Sequence, residues 1–352
     1  MRQGIDGDDQ KGVVRGKGEV VESSLNLVKY SLISLSLLFG VSAYANESWV
    51  SATLDNDFFV NEDNGYTNGL YVTFYDVNES GNDSHWPDFW VKPLMWTMSD
   101  APVKTSANVY SVGQALNTAE DLTLANPPQG SFPYSAMISI NNTYITTRDD
   151  HADRVSTTIG IVGPWALGKE TQKAVHKVIS AQDPKGWNTQ LHNELVFELS
   201  RSRVWRSWVS EEDTMDVLTG FDVSAGTLKS STSTGIMFRY GRNLESSYAT
   251  TLLAENRMSN PTATDNGWFV YAGVKVGYTF NQIFTDGNTF RDSRSIDYDH
   301  NTSVLSTGVS YAWDDIAIAF AINSPFTING DKQDREIDRF TRYGTMTFAW
   351  QI

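Results

Sequence analysis

The chain of 352 residues contains no cysteine. A disulfide framework, a thiolate nucleophile and a cysteine metal site are therefore all excluded. Basic charge is also short: 27 Lys and Arg face 42 Asp and Glu, a formal charge of −15. A surface of that sign does not bind the phosphate backbone of nucleic acid. Beyond residue 45 there is no apolar run near the roughly 20 residues that a transmembrane helix needs. Proline and glycine mark turns but form no low-complexity tract, and no internal repeat is visible. What the chain does have is aromatic side chains, 11 Trp, 15 Tyr and 17 Phe.

The N-terminal region carries an export signature. Lys29 precedes a short apolar run from Tyr30 to Val41, which is followed by Ala43-Tyr44-Ala45. A basic residue, an apolar core too short to span and an A-x-A site make a secretory signal peptide. Residues 1–24 are polar and unlike the start of such a signal, so Val28 is the expected initiator and 28–45 the signal within a 1–45 leader. Cleavage after Ala45 leaves one domain, 46–352. The leader is charge-balanced, so that domain keeps the whole acidic excess. An exported bacterial chain of this kind is periplasmic, secreted or an outer-membrane barrel.

Alternation favours the barrel. Met346, Phe348, Trp350 and Ile352 share one strand face, against Thr345, Thr347, Ala349 and Gln351. Ile316, Ile318, Phe320 and Ile322 alternate with alanines, and Leu70, Val72 and Phe74 alternate with Gly69, Tyr71 and Thr73. Period two with an apolar face outward and small or polar residues inward is the pattern of a membrane barrel. A soluble sandwich would hide the apolar face. The segments predict an all-β antiparallel barrel of about twelve strands: 48–57, 67–76, 108–117, 135–146, 153–163, 190–200, 214–226, 233–243, 267–280, 302–313, 315–324 and 341–352. With both termini periplasmic, the polar stretches 58–66, 164–189, 281–301 and 325–340 fall outside. Residues 77–107 and 244–266 are too long for periplasmic turns and fit this scheme badly. The first contains Trp86, Trp90 and Trp96, which suggests an interfacial or plugging segment.

One stretch changes period. After Gly163-Pro164, residues Leu167, Thr171, Val175 and Val178 follow helical spacing between charged neighbours, and Pro184 and Gly186 end it. The predicted helix, 166–179, belongs to an outer loop and is expected to lay its apolar stripe on the barrel rim or the membrane interface. It carries His176. Alone, an exposed histidine is a solvated surface residue, and Asn56-Asp57 is ordinary turn chemistry. Together with Thr67 they converge from three segments on one rim. A neutral imidazole there can act as general base on water. Asp57, Asn56 and the Thr67 hydroxyl offer hard oxygen ligands suited to Ca²⁺, which would polarise an ester carbonyl. This is an ester-hydrolysis set without a serine nucleophile, and it suits an acidic protein acting on an anionic lipid.

The same residues resemble a known family, the lipid A 3′-O-deacylases of Gram-negative outer membranes. The matching pieces are Asn56-Asp57, Gly65-Tyr66-Thr67-Asn68-Gly69-Leu70, Phe132-Pro133-Tyr134-Ser135-Ala136, and Gly163-Pro164 leading through Gln172 and His176 to Gly186-Trp187 and Gln190. The resemblance covers the first half of the exported domain; the second half matches in strand pattern. It implies a twelve-stranded barrel with its site between the wall and a loop helix, facing outward. It further implies calcium dependence, removal of 3′-linked acyl chains from lipid A, and His176 as base, with Asn56, Asp57 and Thr67 on the wall and Asp57 the leading calcium ligand. The partners implied are lipopolysaccharide and the outer membrane, with no nucleic acid and a monomeric state.

Two departures stand out. A carboxylate found shortly after the histidine in family members is replaced by Gln182, and residues 117–134 contain no Lys or Arg to meet lipid A phosphates. Arg148, Arg154 and Lys185 are the substitutes the sequence suggests. The alternatives are an outer-membrane phospholipase, which would need a Ser–His pair, and a porin or adhesive barrel, for which the inward residues are too bulky.

Overall fold

The computed structural model describes residues 47–60, 65–78, 86–179, 182–254, 266–328 and 341–352. The leader lies outside the described residues. Twelve antiparallel strands close into one barrel: β1 (Glu47–Asn56), β2 (Gly65–Asn78), β3 (Thr105–Thr118), β4 (Ser135–Thr147), β5 (His151–Val162), β6 (Glu194–Val209), β7 (Met215–Ala225), β8 (Lys229–Arg242), β9 (Trp268–Gln282), β10 (Asn301–Trp313), β11 (Ile316–Pro325) and β12 (Tyr343–Gln351). Each strand pairs with its sequence neighbour, and β1 pairs with β12 to remove both edges. The expected twelve spans match these strands closely, except that β6 runs nine residues past its expected end at residue 200.

The pleat sorts the faces as the alternation predicts. Ser51, Thr53, Thr73 and Ser111 point into the lumen, where Thr53 and Thr347 hydrogen-bond across the closing seam at 3.0 Å and Thr73 meets Ser111 at 2.9 Å. Leu70, Ile140, Leu195, Ile236 and Phe348 point outward and are exposed. So continuous an apolar surface would drive aggregation in water, and it fits a bilayer.

The two ends of the barrel differ. The end that carries residues 47 and 351 is here the terminal rim, and the opposite end the loop rim. The two long connections at the terminal rim are not turns at all. Residues 86–104 lie on the outer wall of β3–β6. Residues 243–254 fold back into the lumen, as two single helical turns (Leu244–Ser247 and Thr251–Ala254) around Tyr248. Tyr248, Leu252 and Leu253 pack there against Tyr75, Val109, Ile145, Val204 and Leu218. Lumenal charges pin this plug: Arg239 donates to Asp216 (2.6 and 2.9 Å) and to the Leu244 carbonyl at 2.8 Å, and Arg154 bonds Asp222 and the Leu252 carbonyl.

The Tyr248 hydroxyl spans the carbonyls of Arg148 (2.9 Å) and His151 (3.0 Å), fixing the plug to the β4–β5 turn. Burial pushes this phenol up to about 12, above the usual value of about 10. The fold therefore favours the protonated form. Its contribution is complete below pH ~10 and is lost as pH rises through the folded value. Tyr248→Phe should cost about 1 kcal/mol at neutral pH. The gap in unfolding temperature between variant and wild type should narrow from pH ~10 upward, read by the heat-shifted mobility of the folded barrel on gels.

Candidate functional site

The loop rim holds one long helix, α1 (Gly168–Ile179), close to the predicted span. The chain leaves β5 at Gly163, whose φ of 105° admits no side chain cheaply; a Cβ there would sit 2.6 Å from the His192 backbone. Pro164 opens a 3-10 turn, and left-handed Leu167 (φ 58°) redirects the chain onto the wall. Gly168 then lets the helix touch that wall. A Cβ at Gly168 would come within 2.4 Å of the Ala136 Cβ, 2.6 Å of the Trp187 ring and 2.9 Å of a Leu116 methyl. Leu116 and Ala136 are register partners on β3 and β4 and lie on the outer face. The helix thus rests on the membrane side of the barrel, not over its lumen.

A buried wedge holds it there. Trp187, 1% exposed, packs edge-on to Tyr134 at 5.2 Å and donates its indole N–H to the Gln172 Oε1 at 2.7 Å. The Lys185 amide donates to the Leu122 carbonyl and the Leu191 amide to the Tyr134 carbonyl, so the return strand is tied to the β3–β4 loop. Burial holds the Tyr134 phenol above its ordinary value, which keeps it neutral. Gln172 is itself buried, and its amide N–H group has no hydrogen-bond partner among the described residues.

One helical turn after Gln172 comes His176. It is 9% exposed, not the solvated residue that its neighbours in sequence suggest. Its Nδ1 lies 2.5 Å from the backbone carbonyl of Gln182. A carbonyl only accepts, so Nδ1 carries a proton, and the neutral ring then keeps its lone pair on Nε2. The ring is fixed in the tautomer that a general base requires. The contact also bears on Gln182: its backbone, not its side chain, orients the imidazole.

The other half of the site comes from β1 and β2. Asn56 pairs with Asn68, Asn68 with Leu116, and Leu116 with Ala136. These four positions form one row across the outer face of four strands at the loop rim, and α1 stands on the last two. At the usual strand spacing, β1 lies roughly 10 Å from β3 along this row. Asp57 starts a 3-10 turn, Asp57–Val60, and is 3% exposed. That turn is anchored by Phe59, which packs on Gly344 and meets Phe320 edge-on at 5.7 Å. Asn56, Asp57 and the helix with His176 are therefore on one rim. Thr67 is the extra residue of a β-bulge, where the register steps from Tyr66↔Asn117 to Asn68↔Leu116; its side chain lies outside the described residues.

The donors at this rim are oxygens: the Asp57 carboxylate and the Asn56 amide. That set fits a hard cation such as Ca²⁺, with neutral oxygens completing the shell. Among the described residues no three His, Cys, Asp or Glu converge. Two of the suggested phosphate-binding residues are elsewhere. Arg154 is fully buried in the lumen against Asp222, and Arg148 is buried near the terminal rim against Asp153. Neither reaches the loop rim, because β4 and β5 carry them to its far end. Lys185 does sit at the loop rim and is exposed.

A protein-family model described as outer membrane protein LpxR matches residues 31–352. The chain belongs to the LpxR family. Among solved structures it is similar to LpxR from Salmonella typhimurium, with a TM-score of 0.66 and 16% identity over 86% of this chain and 99% of that one. At that identity the likeness supports the fold. The translocator domain of autotransporter NalP from Neisseria meningitidis follows with a TM-score of 0.39 and 8% identity, covering 95% of this chain and 96% of that one. No curated protein sequence matches. The LpxR match includes both β1–β2 and α1, so both halves of the candidate site lie within the family region.

Proposed function

We propose that this LpxR-family barrel is a hydrolase of lipid A that removes its 3′-linked acyl chains. The observation that carries the reading is the His176 imidazole, locked by the Gln182 carbonyl with Nε2 as base, on the membrane-facing wall. An acyl chain arriving laterally from the bilayer meets the site there, while its sugar headgroup stays at the rim. Family membership supports the same substrate class.

The reaction is ester hydrolysis. His176 Nε2 takes a proton from water as the oxygen attacks the ester carbonyl carbon. The tetrahedral species collapses with cleavage of the acyl C–O bond. The imidazolium gives its proton to the leaving sugar oxygen, which departs as the hydroxyl, and a free fatty acid is released. The buried Gln172 amide, one turn earlier, is a donor available to the carbonyl oxygen. Asp57 and Asn56, with the Thr67 hydroxyl, would hold Ca²⁺, which when bound supplies positive charge opposite a developing oxyanion.

In this reading the loop rim faces outward in the outer membrane, toward lipopolysaccharide, and one chain closes its own barrel. A phospholipase reading uses the same rim but needs a serine partner for His176, and no such contact is formed among the described residues. A porin reading is opposed by the plug that fills the lumen around Tyr248.

Purified barrel in detergent, given lipid A and Ca²⁺, should release free fatty acid and leave a lipid lighter by its 3′-linked chains. A folded barrel that leaves the mass of lipid A unchanged would rule the reading out. Because Gln182 acts through its backbone, Gln182→Ala should leave kcat at the wild-type level in this assay.

A further inference from the structure

The outer wall at the terminal rim is uneven. On β8–β12 its strand ends carry an aromatic belt of Tyr240, Trp268, Tyr311, Trp313 and Trp350, all facing outward. On β3–β6 the same face is polar: Asn108, Thr157, Asp153, Arg201 and Arg203 are aligned through the strand register. Bare, these polar and charged groups would face hydrocarbon, which is costly even where they pair with one another. The 86–104 segment covers them. Asn108 donates to the Trp86 carbonyl at 3.1 Å and Thr157 to the Trp90 carbonyl at 2.8 Å. Val91 and Met98 pack on Tyr144 and Val155. Arg201 donates to the Thr97 carbonyl at 3.3 Å, and Arg148 to the Ala101 carbonyl at 3.1 Å.

The covering segment restores the belt. Its outer side presents Trp86 (88% exposed), Phe89, Trp90 and Trp96 (84% exposed). Such large aromatics are normal at a membrane interface and unfavourable in water.

Charge points to what sits beneath them. Three guanidiniums, of Arg148, Arg201 and Arg203, converge on the single carboxylate of Asp153. The Ser99 amide also donates to it at 3.3 Å. The nearby acids are engaged: Asp150 with His151 Nδ1 at 2.6 Å, and Asp149 with Lys104 at 2.8 Å. Even with Asp150, whose carboxylate also faces Arg203, two carboxylates do not balance three cations in a low-dielectric wall. The most exposed of the three is Arg203, its side chain 24% accessible, with its guanidinium 5.8 Å over the Trp205 ring. It opens on the membrane side, next to the aromatic segment.

We propose that residues 86–104 form an interfacial collar, and that Arg203, backed by Arg148 and Arg201, binds the phosphate of an anionic phospholipid in the leaflet at the terminal rim. The site is independent of the hydrolase reading, since it lies at the opposite end of the barrel from His176. A phosphate at this depth arrives on a lipid, with its acyl chains running along the wall and its headgroup among the tryptophans.

Native mass spectrometry of the detergent-solubilised full barrel, equilibrated with equal amounts of phosphatidylglycerol and phosphatidylcholine, tests this. Wild type should retain phosphatidylglycerol about tenfold over phosphatidylcholine. Arg203→Gln should reduce that preference to near parity, and excess inorganic phosphate should not displace the lipid. Equal retention of the two lipids by wild type would overturn the proposal, as would an undiminished preference in a folded Arg203→Gln barrel. Full displacement by inorganic phosphate would also overturn it, by showing a free-anion site. The two wild-type arms decide the matter even where the variant does not fold.

Discussion

His176→Ala is expected to lower kcat for fatty-acid release by about 10²–10⁴-fold, the usual contribution of a positioned general base. One contact and one location suit His176 to this role. The contact with the Gln182 carbonyl fixes the proton on Nδ1 and spends no side chain to do so. The location is the outer wall, where α1 rests on Leu116 and Ala136 through Gly168. Alanine removes the base but leaves Trp187, Gln172 and Gly168, which hold the helix, so the barrel should fold and still bind lipid. KM should therefore move far less than kcat. A matched rise in KM with kcat unchanged would mean that the imidazole binds substrate and does not act on water. Both constants come from one titration of lipid A in detergent.

The second large effect is expected at Asp57. It is nearly fully buried at the end of β1, on the same rim as the helix, and it supplies the only formal charge of the proposed Ca²⁺ ligands. Asp57→Ala should cost about 10²–10³-fold in kcat at saturating calcium, the cost typical of losing oxyanion stabilisation. The calcium concentration for half-maximal rate should rise as well. Chelation of wild type should give a loss of the same size, and calcium should restore it. If the chelated enzyme keeps its rate while Asp57→Ala is inactive, Asp57 serves the fold or the water and not a cation. Thr67→Ala is the milder companion, since a hydroxyl contributes one neutral ligand among several.

The barrel itself was legible in the sequence because its signal is local. Outward apolar and inward small residues alternate along each strand, as in Ile316 to Ile322, and period two is visible without any partner strand. The helix was legible for the same reason. What alternation could not show was the fate of the two long terminal-rim connections. Tyr248, Leu252 and Leu253 look like a short apolar run, and only the closed lumen shows where they are buried.

The end of β6 was missed because Arg201 and Arg203 occupy lipid-facing positions, which reads as the end of a strand. They are tolerated there because residues 97–101, a hundred positions away in sequence, lie over them. The same non-local pairing misdirected Arg148 and Arg154, whose charges serve Asp153 and Asp222. At the loop rim, sequence spacing brought Asn56, Asp57 and His176 to one end. It could not supply the tautomer of His176, which depends on a backbone carbonyl and so on no particular side chain.

The most direct test of the account is the mass spectrum of lipid A from Gram-negative cells expressing the full chain in the outer membrane, beside cells expressing His176→Ala at equal level. The wild-type cells should show lipid A lighter by its 3′-linked acyl chains, and the variant cells should show the intact species. Intact lipid A in both, with the barrel folded and calcium present, would contradict the function. Equal loss in both would contradict the role given to His176.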